Sequence, residues 1–285
     1  MSNRPLLSVI IATRNEEKNI GNCIRSILGQ SYKDVEIIVV DKGSSDNTVE
    51  IARSLGATVF PLAGYVDMDG VKNFRGAQVN LGARKAKGDI IFFPDADMTF
   101  EEGLLTEAVE KMAEYDALYI PEIVMGKGLM GRIRKFERSF YNETPIDAVR
   151  IVRKDIFKKV GGFDEKNIAF STDDWDLTKM IKKVTEKISI TKSKLYHNEA
   201  QISLRKYLQK KLQYADTFAD YIAKWGQDDP DIKKQFGFSY RFFGVFWEKG
   251  KWRKLLCHPF LALGMYSLRV LVGVRLIAPL RGINF

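Results

Sequence analysis

The sequence predicts an α/β fold with a mostly parallel central sheet, followed by a helical C-terminal region. Short β-rich runs alternate with helical patterns over residues 6–120. The runs IIVV and IIFF are continuously apolar, as strands covered by helices on both faces of a parallel sheet are. After residue 203 the strand signal gives way to helical periodicity and then to the aromatic, basic stretch FGFSYRFFGVFWEKGKWRKLL. The expected division is a domain over 1–203 and a helical region over 204–285.

In order, the strands are LLSVIIA from Leu6, VEIIVV from Val35, ATVF from Ala57, DIIFFP from Asp89, ALYIP from Ala117, AVRIV from Ala148 and a strand ending in LYH at His197. Asn47 followed by Glu50 spells a capping box for the helix TVEIARSL, which Gly56 ends. Further helices are expected over 102–114, 177–183 and 204–225, and a GGF turn at Gly161 precedes an acidic cluster. A chain of 285 residues with 45% hydrophobic content buries a large core, which excludes disorder and favours one full domain plus an appendage. Two distant cysteines, Cys23 and Cys257, make neither a disulfide framework nor a zinc site and fit a reducing compartment. The apolar run at residues 6–12 has strand length and no small-residue cleavage site after it, so no secretory leader is expected. The formal net charge of +9 calls for an anionic partner: nucleotide phosphates, phospholipid head groups or nucleic acid.

Ligands of an open parallel sheet sit at the carboxyl ends of its strands. Thr13, Arg14, Asn15, Glu16 and Glu17 follow the first strand and DKGSSDNT follows the second, so both loops fall on that edge. Asp41 is the candidate acceptor for a base imide N–H, whereas Asp46 is read as turn and cap. The fourth strand delivers Asp95 and Asp97 to the same edge. Two carboxylates there repel each other unless a hard cation such as Mn²⁺ or Mg²⁺ joins them, and that cation can bridge to a diphosphate. An Asp-x-Asp alone is a weak signal, which its place at the end of a buried strand strengthens. One of Asp173, Asp174 and Asp176 is suited to deprotonate an acceptor hydroxyl, the alternative being helix capping. His197 completes a metal or diphosphate site or is structural. Of the basic residues Lys72, Arg75, Arg84, Lys85 and Lys87, one, with Arg75 the candidate, pairs with donor phosphate and the rest are solvated.

Taken together, SVIIATRNEEKNI, VDKGSSDNT, NLGARKAKGDIIFFPDADM, GGFDE and DDWDL resemble, in order and spacing, the family-two glycosyltransferases of GT-A fold, over roughly residues 5–200. The resemblance implies a nucleotide-diphosphate sugar as donor, with Thr13, Asn15, Glu16 and Asp41 bordering the nucleoside. It further implies Asp95 and Asp97 as the metal and diphosphate site, with Asp97 the direct ligand. Asp173-Asp174 looks like the family's Glu-Asp pair, which makes Asp174 the base of an inverting transfer. Asp173 departs from the usual glutamate, and Lys42 beside Asp41 is unusual.

Members with an aromatic, basic C-terminal extension often act on lipid-linked acceptors, polyprenyl phosphates or lipid-borne glycans. Lys249, Lys251, Arg253 and Lys254 beside an apolar stretch suit an anionic lipid surface. The run at 259–280 approaches spanning length but carries Arg269 and Arg275, so an interfacial or re-entrant element is expected, at the cytoplasmic face of a membrane. The absence of G-x-G-x-x-G removes a dinucleotide-dependent oxidoreductase, and ATRNEEKN is not the Gly-rich basic loop of a sugar-nucleotide pyrophosphorylase. The apolar length of the tail favours lipid over nucleic acid. A non-catalytic binding protein of the same fold is the remaining alternative, opposed by Asp95, Asp97 and Asp174.

Overall fold

The structure is a computed structural model and describes residues 4–199, 203–215 and 217–276. The chain opens with β1 (Leu7–Thr13), α1 (Ile20–Leu28), β2 (Val35–Asp41), α2 (Thr48–Ser54) and β3 (Thr58–Pro61). Next come α3 (Phe74–Lys85), β4 (Ile90–Phe92), β5 (Met98–Phe100), α4 (Leu104–Lys111), β6 (Ala117–Tyr119), β7 (Glu122–Met125) and α5 (Gly128–Arg138). Then follow β8 (Val149–Arg153), α6 (Lys154–Lys159), α7 (Asp173–Lys182), β9 (Ile188–Ile190) and β10 (Leu195–Asn198). The remainder is helical: α8 (Leu204–Ala215), α9 (Phe218–Trp225), α10 (Pro230–Phe236), a π-helical turn (Tyr240–Gly244), α11 (Val245–Trp247), α12 (Trp252–Cys257) and α13 (Pro259–Leu276).

Two compact units result, Met1–Pro121 with Ala148–His197 and Glu122–Asp147 with Asn198–Phe285. In the first, a seven-stranded sheet runs β3-β2-β1-β4-β8-β6-β9. Its strands are parallel except β8, which is antiparallel to both β4 and β6. The expected mostly parallel sheet is therefore present, with one reversed strand. The continuous apolar runs are buried on both faces. Val9, Ile11, Val39 and Phe92 pack with Ile20, Ile24, Leu104 and Leu105, while Ile10, Ile38, Val40 and Ile91 pack with Ala77, Val79 and Leu81. In the β1–β2 register Thr13 lies opposite Asp41, so the first two loops leave the sheet side by side.

Helix α3 is absent from the sequence reading because eight consecutive residues, Gly76 to Ala83, are buried and leave no amphipathic stripe to detect. The expected capping box at Asn47 does not form. Asp46 caps Thr48 instead, accepting from its N–H and hydroxyl, while Asn47 donates to Glu17. The helix expected over 102–114 is shorter, starting after Gly103, whose φ of 84° only glycine adopts readily. The helix expected over 204–225 is two helices, α8 and α9.

In the second unit, Ile133, Phe136 and Phe140 pack with Tyr207, Val245, Phe246, Met265 and Leu268. This apolar face of α5 draws residues 122–147 into the unit with the C-terminal helices, a partition that a boundary in sequence at 203 does not express. The basic cluster expected to face lipid is partly committed to protein: Lys251 and Lys254 donate to the carbonyls of Phe140 and Ser139, just past the end of α5. Arg253 and Lys254 remain exposed. Among the described residues no helix is long and apolar enough to cross a membrane. Helix α13 exposes Phe260, Leu263, Val270 and Val274 along one stripe and buries Met265, Leu268 and Arg269 opposite. Residues 277–280 of the expected apolar run lie outside the described residues.

Gly82 shows how closely α3 lies on the sheet, since a Cβ there would sit 2.3 Å from Ile10 Cγ2 on β1. Gly82→Ala is expected to lower stability by about 1–3 kcal/mol through overpacking, outweighing the helix-propensity gain of about 0.5–1 kcal/mol. A urea unfolding midpoint equal to or above wild type would refute this close packing.

Candidate functional site

The carboxyl edge of the first unit's sheet gathers the predicted residues. Asp41 ends β2, and its carboxylate accepts from the Thr13 hydroxyl at 3.2 Å and from the Ser44 N–H at 2.8 Å. With 5% exposure it acts here as the organiser of its loop, and little of it is open to a base. Asn15 adopts φ 56° and ties the two loops together: its N–H donates to Ser44 Oγ at 2.8 Å, and its side-chain oxygen accepts from the Ser45 N–H at 2.8 Å. The Glu16 N–H donates to Thr48 Oγ1, and burial pushes the Glu16 carboxyl up. Thr13, Asn15, Glu16 and Asp41 thus form one hydrogen-bonded cradle whose open rim is Asn15, Ser45 and their neighbours.

Asp95 follows β4 and bridges to Ala12 of the first strand. One oxygen meets Arg75 Nε at 2.8 Å and the other lies 3.5 Å from Arg150 Nη1. Arg75 Nη1 also reaches Asp173 at 3.2 Å and Asp174 at 3.0 Å, and Arg150 Nη1 reaches Asp174 at 3.2 Å. Three carboxylates therefore share two guanidiniums, a net excess of one negative charge. Burial opposes ionisation of Asp95, but Arg75 and Arg150 hold its carboxyl well below the usual range. Asp173, 3% exposed, bears the excess: burial, reinforced by Asp174 and Asp95 and opposed by Arg75, pushes it up to about 7.

Local structure explains these placements. Arg75 lies in the first turn of α3, whose N-terminus is capped by the Asn73 side chain accepting from Gly76 N–H. The GGFDE turn holds that helix. Asn80 accepts from Phe163 N–H and donates to Phe163 O and Glu165, while Lys72 and Asn73 donate to Glu165 O. Gly161 and Gly162 make the turn with φ of 83° and 74°, and a Cβ on Gly162 would fall 2.4 Å from Asn80 Oδ1. Asp173 and Asp174 begin α7, where the helix N-terminus favours negative charge.

Asp97 stands apart from the arginines. Its Oδ2 lies 3.2 Å from His197 Nε2, because β10 pairs with β5 so that His197 is opposite Met98. Its Oδ1 is buried and has no hydrogen-bond partner. Among the described residues no group of three His, Cys, Asp or Glu side chains is set to hold a metal ion. The expectation that Asp95 is itself a metal ligand is not what the geometry presents, since both its oxygens face guanidiniums. The unpartnered Asp97 oxygen beside an imidazole does fit a divalent cation whose other ligands come from a bound substrate.

Sequence reasoning missed Arg150. Its available signal was a charge inside the apolar strand VRIVR, where position 150 is only partly buried between buried neighbours. Asp176 is buried at 1% exposure, away from the role of an accessible base. Of the other basic residues, Lys85 lies over the Tyr65 ring and Lys42 over Phe74.

The profile of glycosyl transferase family 2 matches residues 8–188. The 4,4'-diaponeurosporenoate glycosyltransferase of Staphylococcus aureus (strain USA300) is 40% identical over 110 residues, 39% of this chain and 28% of that protein. The chain thus spans little more than a quarter of that relative's length. Among solved structures, mannosyltransferase PcManGT from Pyrobaculum calidifontis, in complex with GDP-Man and Mn²⁺, matches with TM-score 0.63 at 20% identity, covering 98% of this chain and 86% of that one. TarS from S. aureus with UDP-GlcNAc matches with TM-score 0.53 at 20% identity, over 84% and 73% of the two chains. Glucosyl-3-phosphoglycerate synthase from Mycobacterium tuberculosis, with Mn²⁺, UDP and glucosyl-3-phosphoglycerate, matches with TM-score 0.53 at 18% identity, over 79% and 82%. At such identities these three speak for the fold. The family match covers more than half of the chain and agrees with the sheet order and the motifs along its edge, so the chain belongs to glycosyl transferase family 2 and has the GT-A fold.

Proposed function

We propose that the chain is an inverting glycosyltransferase that moves a sugar from a nucleotide-diphosphate sugar to a hydroxyl or phosphate of a lipid-linked or glycan acceptor, at the cytoplasmic face of a membrane. The observation that carries this reading is the junction of Asp95, Asp173 and Asp174 through Arg75 and Arg150, with an unpartnered Asp97 oxygen two residues along the chain from Asp95. GDP-Man in PcManGT and UDP-GlcNAc in TarS support a nucleotide-sugar donor, and the diaponeurosporenoate relative fits a lipid-like acceptor.

Asp97 and His197 would hold a divalent cation, Mn²⁺ or Mg²⁺, which would offset the negative charge of the departing nucleoside diphosphate. The Asn15 and Asp41 loops border the nucleoside. Arg75 and Arg150 present guanidiniums at the edge where the diphosphate enters, and a phosphate competes for them with the carboxylates they now bind. Asp174 accepts the proton of an acceptor hydroxyl as its oxygen attacks the anomeric carbon from the face opposite the leaving diphosphate, which inverts configuration. Asp173, neutral when protonated, leaves Asp174 as the charged member of the pair. The exposed stripe of Phe260, Leu263, Val270 and Val274 on α13 meets the membrane, and the exposed Arg253 and Lys254 suit its anionic head groups.

The decisive experiment is a thermal-shift screen against UDP, GDP, CDP and dTDP sugars with and without Mn²⁺, followed by transfer assays on two variants. Asp97→Ala is expected to abolish the Mn²⁺-dependent shift. Asp174→Asn is expected to keep it and to lose transfer to a hydroxyl acceptor by about 10²–10⁴-fold. Full transfer by either variant overturns these roles.

The Asp173 carboxyl gives a pH signature. Its ordinary value is 3.8, and in the fold it is raised to about 7. Between those values the folded chain keeps a proton that the unfolded chain releases, so this group's contribution to stability falls as pH rises through that window. Asp173→Asn, a mimic of the neutral form, is expected to melt above wild type at pH 8 and alongside it at pH 3. A parallel offset at both values would show that the effect is not ionisation.

Membrane docking is checked by sedimentation with vesicles containing anionic lipid. The double substitution Phe260→Glu and Leu263→Glu is expected to leave the protein folded and to shift it to the supernatant. Unchanged co-sedimentation excludes this stripe as the contact.

A further inference from the structure

The second unit contains a buried charge cluster that sugar transfer does not use. Arg134 on α5 pairs with Glu137 at 2.6 Å and with Glu199 at 3.2 Å. Arg269 on α13 pairs with Glu137 at 3.1 Å and donates to the Tyr141 hydroxyl and to the Arg241 carbonyl. Both carboxylates are thereby occupied. Lys211 on α8 and Arg241 in the π-helical turn have no ion pair among the described residues, so four cations face two anions. Arg241 Nη1 and Arg269 Nε are buried and have no hydrogen-bond partner. Tyr141, Tyr207 and Phe246 wall the cluster: Arg269 lies 4.6 Å from the Phe246 ring centroid, Arg134 lies 4.9 Å from that of Tyr207, and Arg241 lies 5.7 Å from that of Tyr141.

Buried donors without partners are rare in folded proteins because their lost hydration is not replaced, and a charged donor loses more. Arg269 is only 8% exposed, whereas Lys211 and Arg241 are partly exposed, so the cluster opens to solvent on their side. Burial and the nearby Arg134 pull Lys211 down to about 7, as expected of a cation held among cations with no anion of its own.

We propose that Lys211, Arg241 and Arg269 form a phosphate-binding site, taking a phosphate monoester as the missing anion. The surplus of two positive charges matches a phosphate dianion better than a single carboxylate or chloride. Phosphate oxygens accept from guanidinium and ammonium donors at once, so such a group would supply the acceptors that Arg241 Nη1 and Arg269 Nε lack and the anion that Lys211 lacks. The source is either the head group of a lipid or a phosphate free in solution. The site goes beyond the sugar-transfer reading and does not depend on it, because none of its residues belongs to the Asp95–Asp174 network.

The test uses the full chain with phosphate as the probe. At constant ionic strength set with chloride, inorganic phosphate is expected to raise the melting temperature of wild type saturably. Lys211→Met and Arg241→Gln are each expected to weaken the apparent affinity by about tenfold or more. Lys211→Met is expected to melt no lower than wild type without phosphate, because it removes a cation that its surroundings disfavour, so a lost response is not lost folding. A parallel arm compares vesicles of phosphatidylcholine alone with vesicles that also contain phosphatidic acid. Response to inorganic phosphate identifies a free phosphate group as sufficient. Response only to phosphatidic acid vesicles, abolished in both variants, identifies a lipid head group. Equal responses of wild type and both variants to every probe overturn the site. Binding of nucleotide sugar, measured alongside, is expected to be unchanged in both variants, so failure of the donor reading and failure of this one are separable.

Discussion

Bringing acidic side chains together at the edge of a sheet raises an electrostatic cost, and the arrangement of the first unit follows from how it is offset. Asp95, Asp173 and Asp174 come from a loop after β4 and from the start of α7, far apart in sequence, and opposite charge nearby lets them sit together. Arg75 and Arg150 supply that charge from α3 and β8. Each guanidinium touches both acidic groups, so moving either arginine disturbs the loop after β4 and the start of α7 together. The one negative charge left over falls on the most buried member, Asp173, as a retained proton.

The rest of the unit holds those two arginines in place. The Asn80 side chain and the GGFDE turn pin the start of α3, and small residues on that helix, Gly76 and Gly82, let it lie against Ile10 and Phe163. The reversed strand β8 pairs with β4, and the Arg150 carbonyl accepts from Phe93 N–H, which fixes Arg150 beside Asp95. The glycines and the buried Asn80 thus belong to the chemistry through packing: they touch none of the carboxylates, yet they set where Arg75 begins.

Much of this was legible in the sequence wherever a residue's role depends on its own strand. The runs ending at Thr13, Asp41 and Asp95 announced buried strands and hence an edge, and His197 was recognised as the end of another. His197 was placed with Asp95 and Asp97 at one site from the sequence, but that it meets Asp97 and not Asp95 depends on the register of β10 against β5, a hundred residues apart. Helix α3 hid because burial all round erases periodicity, and Arg150 hid because a strand's alternation says which face a side chain takes but not what waits there. The capping box at Asn47 failed for a related reason: Glu17 lies close enough in space to take Asn47's donors, which no local pattern contains.

Arg269 shows the same dependence on tertiary context in the C-terminal region. Read along the chain, it is a charge interrupting an apolar run and therefore a mark against insertion in a bilayer. In the fold it is buried, paired with Glu137 and set over Phe246, so its charge is accounted for inside the unit and the outward stripe of α13 is free of it. The two units then present opposite imbalances. The first holds one carboxylate more than its arginines neutralise, with an unpartnered oxygen on Asp97 and an unpartnered nitrogen on Arg75; the second holds two cations more than its carboxylates neutralise, with unpartnered nitrogens on Arg241 and Arg269. A buried charge left without its opposite is unfavourable unless something offsets it: in the first unit the proton kept by Asp173 does so, and in the second the surplus of cations leaves buried guanidinium nitrogens unsatisfied.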